Sequence, residues 1–517
     1  MGIKTEQTVD DNMPVLVGCS QLTQTESDPA LAQSPMALTA DAAFAALRDT
    51  GIGDTMLAQL DTIAVIRSFS DTSWRFACPF GQVSNPPASL AGRLGASSAA
   101  RLIYTEAGGN MPQWCVNRLG EMISRGEVGS ALIAGGEALA TQKAAQRAGL
   151  ALDWAEETGG KAQSWGVPRR GWSDLEDRHG MRGAIYAYPL FEQAIRGALG
   201  RSLAAHQSAL GELLAHFAAV AAANPLADRR DGFSANEISQ AHAGNPYIGF
   251  PYTRLMNANA FIDQSAALIM TSVGRARALG IPRDRWVFLH GYADAHDHWF
   301  VTDRRDFHSS PAMTAVFAAA LEMADVSIDQ IDQLDLYSCF SSAVEVACSS
   351  LGIASNDSRG LTITGGLPYF GGPGNNYVTH SIAQMMTELR QRPGKLGLVT
   401  ANGNYLTKHS AGVYSTEPPA GLLPAPADLQ PALDQGESPV VVPLADGTAQ
   451  VETWTVMNDR QGPSQAIVIG RLSGGERFIA NTPEDADLLH LMQNQDLLGV
   501  SGRVSHDGTT NLFVPQI

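Results

Sequence analysis

Two series of short apolar runs, each alternating with helical stretches, constrain the fold of this chain more than any other feature. In the first series, residues 13–19, 61–66, 100–105 and 130–134 read as strands. Ser34 followed by Pro35 opens a helix running to about Thr50, because serine caps a helix start and proline fits its first turn. A second helix is expected over 112–125. Strands that are apolar throughout, separated by helices, imply a parallel sheet buried on both faces.

From 142 to 245 the rhythm stops. This stretch carries Trp154, Trp165 and Trp172, polar loops, and one long Ala-rich helical region over 189–224, and it reads as an insertion lying over the sheet. The rhythm then returns, with strands expected at 266–270, 286–290, 334–337, 361–364 and 396–400. Helices are expected at 311–323, 341–351 and 376–389. Two similar series suggest a duplication at the level of fold. The organisation is therefore a first half over 1–280 with the insertion at 142–245, a second half over 281–415, and a third part over 416–517. That last part opens on proline-rich Glu417-Pro-Pro and Leu423-Pro-Ala-Pro. Strands follow at 439–442, 450–456, 465–469 and 499–504, with an Asp-Gly hairpin signal in 504–514 and one short helix at 483–492. It reads as a small β-barrel appended to an α/β body.

Composition narrows the function. With 35 Lys+Arg against 52 Asp+Glu the formal charge is −17, which repels the phosphate backbone of nucleic acid. No apolar run reaches the roughly 18 residues that span a bilayer, and the polar stretch 1–13 lacks the pattern of a secretory signal. The five cysteines, Cys19, Cys78, Cys115, Cys339 and Cys348, are scattered without C-x-x-C spacing. That argues against a disulfide framework or structural zinc, and a reducing cytoplasm is expected.

Three stretches carry the chemistry. One is Thr105-Glu-Ala-Gly-Gly-Asn-Met-Pro-Gln113, leading through a helix to Ile133-Ala-Gly-Gly-Glu-Ala138. The next is Asp335-Leu-Tyr-Ser-Cys-Phe-Ser-Ser342. The last is Thr364-Gly-Gly-Leu-Pro-Tyr-Phe-Gly-Gly-Pro-Gly-Asn-Asn376. In order and spacing, over about residues 10–415, they resemble the thiolase superfamily. The likeness is strongest to the sterol-carrier-protein type and to bacterial type 1 thiolase-like proteins with an additional C-terminal domain.

The resemblance implies a duplicated five-layered αβαβα body with a small C-terminal β-barrel. It implies a site where loops and helix starts of both halves converge on an acyl-CoA, with no tightly bound cofactor, in a homodimer or a monomer. There the family uses a nucleophilic cysteine, an oxyanion hole and an acid/base cysteine. This sequence departs from that pattern. The nucleophile position falls on Gly109, and Cys115, further along, reads as a buried thiol. The family's His-Asp-Cys-Phe is Tyr337-Ser-Cys-Phe340, so Cys339 inherits the acid/base role, and Tyr337 either moves a proton or fills the histidine's space. The Gly-His-Pro histidine is missing at Gly371-Gly372-Pro373. Asn375 and Asn376 then donate from their amides or serve as turn and cap residues. The Cys-x-Gly cysteine is Ala401, followed by Gly403. His380 and His409 are weak candidates.

Gly109, Gly371, Gly372 and Gly403 are expected to bring backbone close to a bound CoA. Arg169, Arg170 and Arg182, with Lys161 and Arg178, suit its phosphates. Tyr337 and Cys339 are expected to face one way, with the helix starting near Ser341 lowering the thiol pKa. The run His290-Gly-Tyr-Ala-Asp-Ala-His-Asp-His298 fits no common metal site, and His290 is a candidate facing substrate. Three readings stay open: an acyltransferase, a retro-aldol enzyme acting on a β-hydroxyacyl-CoA, or a CoA or lipid-acyl binding protein without chemistry.

Overall fold

A computed structural model describes residues 9–72, 74–96 and 101–517. Most of the polar stretch 1–13, and the expected strand start at Ala100, lie outside them. The body is a five-layered mixed α/β fold. Its ten strands form one sheet of two wings. The join is Pro14–Thr23, which runs antiparallel to Asp263–Ser272 on one side and meets Val287–His296 through Val15 and Leu16 on the other. Helices Pro35–Asp49 and Pro86–Leu94 cover the first wing, and Pro311–Met323, with Ser341–Leu351 beside it, covers the second. Between the wings lie Met111–Ser124 and Tyr377–Gln391, packed on each other and on strands of both. Their sandwiched position explains their composition: Cys115, Val116 and Leu119 on one, and Val378, Ile382 and Met385 on the other, have no exposed surface. Each such side chain contributes about 1.5–3 kcal/mol on burial.

The sheet is not parallel, as the alternating pattern implies, but mixed. Thr62–Val65 runs parallel to Arg101–Thr105 and to Ser130–Ala138, while Asp263–Ser272 returns antiparallel. Lys408–Ser415, unforeseen as a strand, follows Leu396–Gly403 through a tight connection, and two strands so joined must pair antiparallel. The expected strand at 361–364 does not form. The carboxylate of Asp335 takes up its polar groups instead, accepting from Ile363 N at 3.0 Å and Thr362 Oγ1 at 2.8 Å. The single long helix expected over 189–224 is two, Ala184–Ala198 and Leu203–Ala223. Gly200 at φ 63° turns the chain, and Ser202 caps the second helix by accepting from Ala205 N. The insertion also adds a strand: Gln163–Trp165 pairs parallel with Arg101–Thr105 and covers the edge of the sheet.

The C-terminal strands close a five-stranded barrel. Gly447–Asp459 pairs with Gly462–Leu472, which leads through Arg477–Asn481, Asn511–Pro515 and Ser501–His506 back to Gly447–Asp459. The Val440–Val442 run gives only an isolated bridge to Arg477. Residues 416–446 run along the body, tied by His290 Nε2 to the Glu417 carbonyl at 2.7 Å and by Ser438 Oγ to the Asp303 carbonyl at 2.7 Å. The barrel is fixed by Arg477, fully buried, which donates to the Thr302 carbonyl at 2.9 Å and pairs with Glu452. Tyr247–Gly249, just past the insertion, pairs with the barrel strand Gly447–Asp459.

Candidate functional site

The two central helices begin side by side, and their leading loops are laced together. Gly108 N donates to Asn375 Oδ1 at 2.9 Å, and Asn375 Nδ2 donates to the Arg67 carbonyl at 2.8 Å and to Thr72 Oγ1 at 3.3 Å. Asn376 Nδ2 donates to the Gly135 carbonyl at 2.7 Å, and its Oδ1 accepts from Thr379 Oγ1 at 2.6 Å. Both amide groups are thus spent on joining the halves. Gly371, at φ 126°, lies against Gln264, where a Cβ would stand 2.5 Å from Oε1, and Gly372 N bonds the Asn259 carbonyl at 2.8 Å. Glu137 of the Ala-Gly-Gly-Glu stretch accepts from Phe69 N at 2.7 Å and Ser68 Oγ at 3.0 Å, and burial pushes its carboxyl up to about 8.

Tyr337 and Cys339 lie just past the end of strand Gln333–Asp335 and converge on Asn402, while Ser338 Oγ turns away to accept from Leu367 N. A Cβ built on Gly109 would stand 2.1 Å from Tyr337 Oη, 2.6 Å from its Cζ and 2.7 Å from the Asn402 carbonyl oxygen. The phenol therefore occupies the space into which a side chain at position 109 would project. Burial, with Cys339 and Tyr377 beside it, holds the Tyr337 hydroxyl well above the usual phenol range. It is held as a neutral phenol. Cys339 does not have the lowered thiol expected from the helix behind it. Burial outweighs the bonds from Tyr188 and the backbone and pushes it up to about 12. Asn402, which sequence reasoning missed, donates to Tyr188 Oη at 2.8 Å and lies 3.9 Å from Cys339 Sγ. Its Oδ1 is buried with no hydrogen-bond partner among the described residues. Its only signal in the sequence is its place next to Gly403.

Gly403 is where the loops approach most closely: a Cβ there would meet Asn110 Oδ1 at 2.4 Å and Gly108 Cα at 3.2 Å. Beside it Lys408, also missed, is 7% exposed and donates through Nζ to the Ala107 carbonyl. Arg170 and Arg182 line a cavity of about 350 Å³ with Thr72, Arg75 and Trp172, next to the Thr72–Asn375 contact. Arg170 pairs with Asp174, and Arg182 with Asp177. Arg169 stacks over Phe300 at 4.5 Å and does not line that cavity. His290 is not brought to the cluster. It sits near the opposite end of its strand from His296, which pairs with Lys408. Cys115 is fully buried, its thiol pushed up by desolvation and Asp294. His380 is fully buried and burial pushes it down to about 3. His409 is held by Asp297 at 3.1 Å.

Comparison with known proteins bears on the fold and the family. Residues 428–509 match the model of the thiolase-like protein type 1 additional C-terminal domain. A 159-residue stretch is 28% identical to a 3-ketoacyl-CoA thiolase of Erwinia tasmaniensis, spanning 28% of this chain and only 35% of that protein. Among solved structures, acetyl-CoA acetyltransferase from Syntrophomonas wolfei shares the fold at TM-score 0.56 and 15% identity, over 79% of this chain and 100% of that one. A monomeric SCP2-thiolase-like protein type 1 from Mycobacterium smegmatis superposes at TM-score 0.84 with 37% identity, covering 98% of this chain and 99% of that one. The chain belongs to the SCP2-thiolase-like proteins of type 1, within the thiolase superfamily.

Proposed function

We propose that this protein binds acyl-CoA at the meeting of the two halves and handles it without an acyl-enzyme, in the cytoplasm. The observation that carries this reading is the Tyr337 hydroxyl lying where a side chain at position 109 would project. Thiolysis needs a nucleophile there. The two thiols nearest in sequence or space, Cys115 and Cys339, are kept protonated by burial, and the thiolate, not the thiol, attacks. The arginine-lined cavity beside Thr72 and Asn375 suits the phosphates of CoA, with the acyl end directed toward Tyr337 and Cys339.

Retro-aldol cleavage of a β-hydroxyacyl-CoA is the second reading, favoured by Asn402. Its buried Oδ1 is an acceptor without a donor among the described residues, on a side chain whose Nδ2 lies 3.9 Å from Cys339 Sγ, and a β-hydroxyl group would supply a donor where a β-ketone would not. The fold likeness to the Ltp2-ChsH2(DUF35) aldolase, at 16% identity, adds nothing about chemistry. Calorimetry with CoA and acetyl-CoA, then turnover of acetoacetyl-CoA plus CoA and of a β-hydroxyacyl-CoA, separates the readings. Binding with no thiolysis supports the first, release of a carbonyl product the second. Absence of binding at millimolar ligand defeats both.

A further inference from the structure

We propose that a cavity of about 690 Å³ on the outer side of the Ala107–Asn110 loop is a second site, where Lys408 captures the carbonyl group of a ring-bearing aldehyde or ketone as a reversible Schiff base. The volume is that of a small-molecule pocket. Its walls are Trp114 on the first central helix, Trp165 on the inserted edge strand, and Trp299. Trp114 and Trp165 meet edge to face at 5.8 Å, and Lys408 Nζ lies 5.9 Å from the Trp299 ring. Indole walls favour a flat apolar body.

The chemistry at the base of the cavity suits carbonyl capture. Lys408 is almost wholly buried. Burial pushes its ammonium down to about 8, with Glu106 opposing, so about a tenth is neutral amine at pH 7, far more than for an ordinary lysine. Desolvated lysines are the ones that form Schiff bases. A second ionisable group lines the same cavity. Asp294 pairs in register with Ser410, two residues from Lys408, so the lysine and the aspartate share one face of the sheet as diagonal neighbours. Burial pushes the Asp294 carboxyl up to about 7, and Asn117 Nδ2 holds its Oδ2 at 3.0 Å. Two acceptors lining the cavity, Asn110 Oδ1 and Asp294 Oδ1, have no donor. A site that is only packing leaves few such atoms.

The step balances with the amine, the carbonyl and solvent water. The amine lone pair attacks the carbonyl carbon. A proton passes from the nitrogen to the oxygen through solvent water, giving a neutral carbinolamine. Its hydroxyl then takes a proton from water and leaves as water while the nitrogen lone pair closes the C=N bond. The iminium returns that proton to the hydroxide so formed. Water reverses the sequence.

The test uses the full chain with benzaldehyde and cyanoborohydride, which fixes any imine as a benzyl amine, followed by peptide mass spectrometry. Lys161 and Lys395, both exposed, serve as internal references. Lys408 is expected to label at least about tenfold faster than either. Lys408→Arg, which keeps a cation to donate to Ala107, abolishes that label while the references are unchanged, and Trp299→Ala slows it. Labelling of Lys408 no faster than Lys161 and Lys395 overturns the proposal. That ratio is read on wild-type protein, so it stands even if Lys408→Arg fails to fold.

Discussion

Gly109→Ala probes the crowding at the centre of the site. The added Cβ would lie 2.1 Å from Tyr337 Oη, 2.6 Å from Cζ and 2.7 Å from the Asn402 carbonyl oxygen. No real Cβ sits so close, so the phenol or the loop must move. Both are buried, and overpacking a filled core costs about 1–3 kcal/mol. Two of these three contacts belong to Tyr337, so most of the cost should vanish once that ring is gone. Tyr337→Ala alone leaves a cavity and costs about 3–5 kcal/mol. The double variant should therefore be less destabilised than the sum of the singles by about 1–2 kcal/mol, the remainder being the carbonyl contact. Urea unfolding of the four proteins, followed by tryptophan fluorescence, gives the coupling. Additive costs within about 0.5 kcal/mol would refute the placement of the phenol over Gly109.

Other outcomes follow from the same geometry. Glu137 has a folded pKa of about 8, above its ordinary unfolded value near 4.5, so the folded state holds its proton more tightly. Its contribution to stability is present below about pH 4.5 and is lost as pH rises to about 8. Glu137→Gln, which preserves an acceptor for Phe69 N, should flatten that part of a melting-temperature profile between pH 5 and 8. An unchanged profile would show the carboxyl is not protonated in the fold. Arg170→Ala and Arg182→Ala should each raise the Kd for CoA about tenfold, with a weaker salt dependence, as loss of a phosphate contact does; calorimetry showing no change would move the phosphates elsewhere. The edge strand Arg101–Thr105 is already paired with Gln163–Trp165, and Glu106 N bonds the Trp165 carbonyl at 2.7 Å. Sedimentation should therefore report a single 54.8 kDa chain, and a stable dimer would contradict that covering role.

Several helices of the body were legible because they carry their own signals, while Pro86–Leu94, Leu139–Ala148 and Val273–Leu279 were not foreseen. Pro311–Met323, capped by Ser310, and Ser341–Leu351, which has apolar spacing but no side-chain cap, fall where they are expected. Strand direction was not legible, because an apolar run looks the same parallel or antiparallel. Lys408–Ser415 escaped because Lys408, His409 and Ser410 read as polar, although the fold buries all three. The run at 361–364 has strand-like residues, yet the Asp335 side chain outcompetes a ladder for their backbone groups. In the site, Tyr337 and Cys339 came from a motif, as did the vacant place at Gly109. Asn402 and Lys408 did not, since their positions arise only when the hairpin of Leu396–Gly403 and Lys408–Ser415 folds against the Ala107–Asn110 loop. The thiol of Cys339 was misjudged for a related reason: a helix start is visible in sequence, but the depth of burial that outweighs it is not.

The central claim, acyl-CoA handled without a covalent acyl intermediate, is tested most directly by intact-mass and peptide mass spectrometry after treatment with acetoacetyl-CoA. The account predicts no acetyl group on Cys115, Cys339 or any other thiol, because position 109 has no side chain, Tyr337 fills its space, and burial keeps both of those thiols protonated. A stoichiometric acetyl adduct on either cysteine, removed again by added CoA, would contradict it.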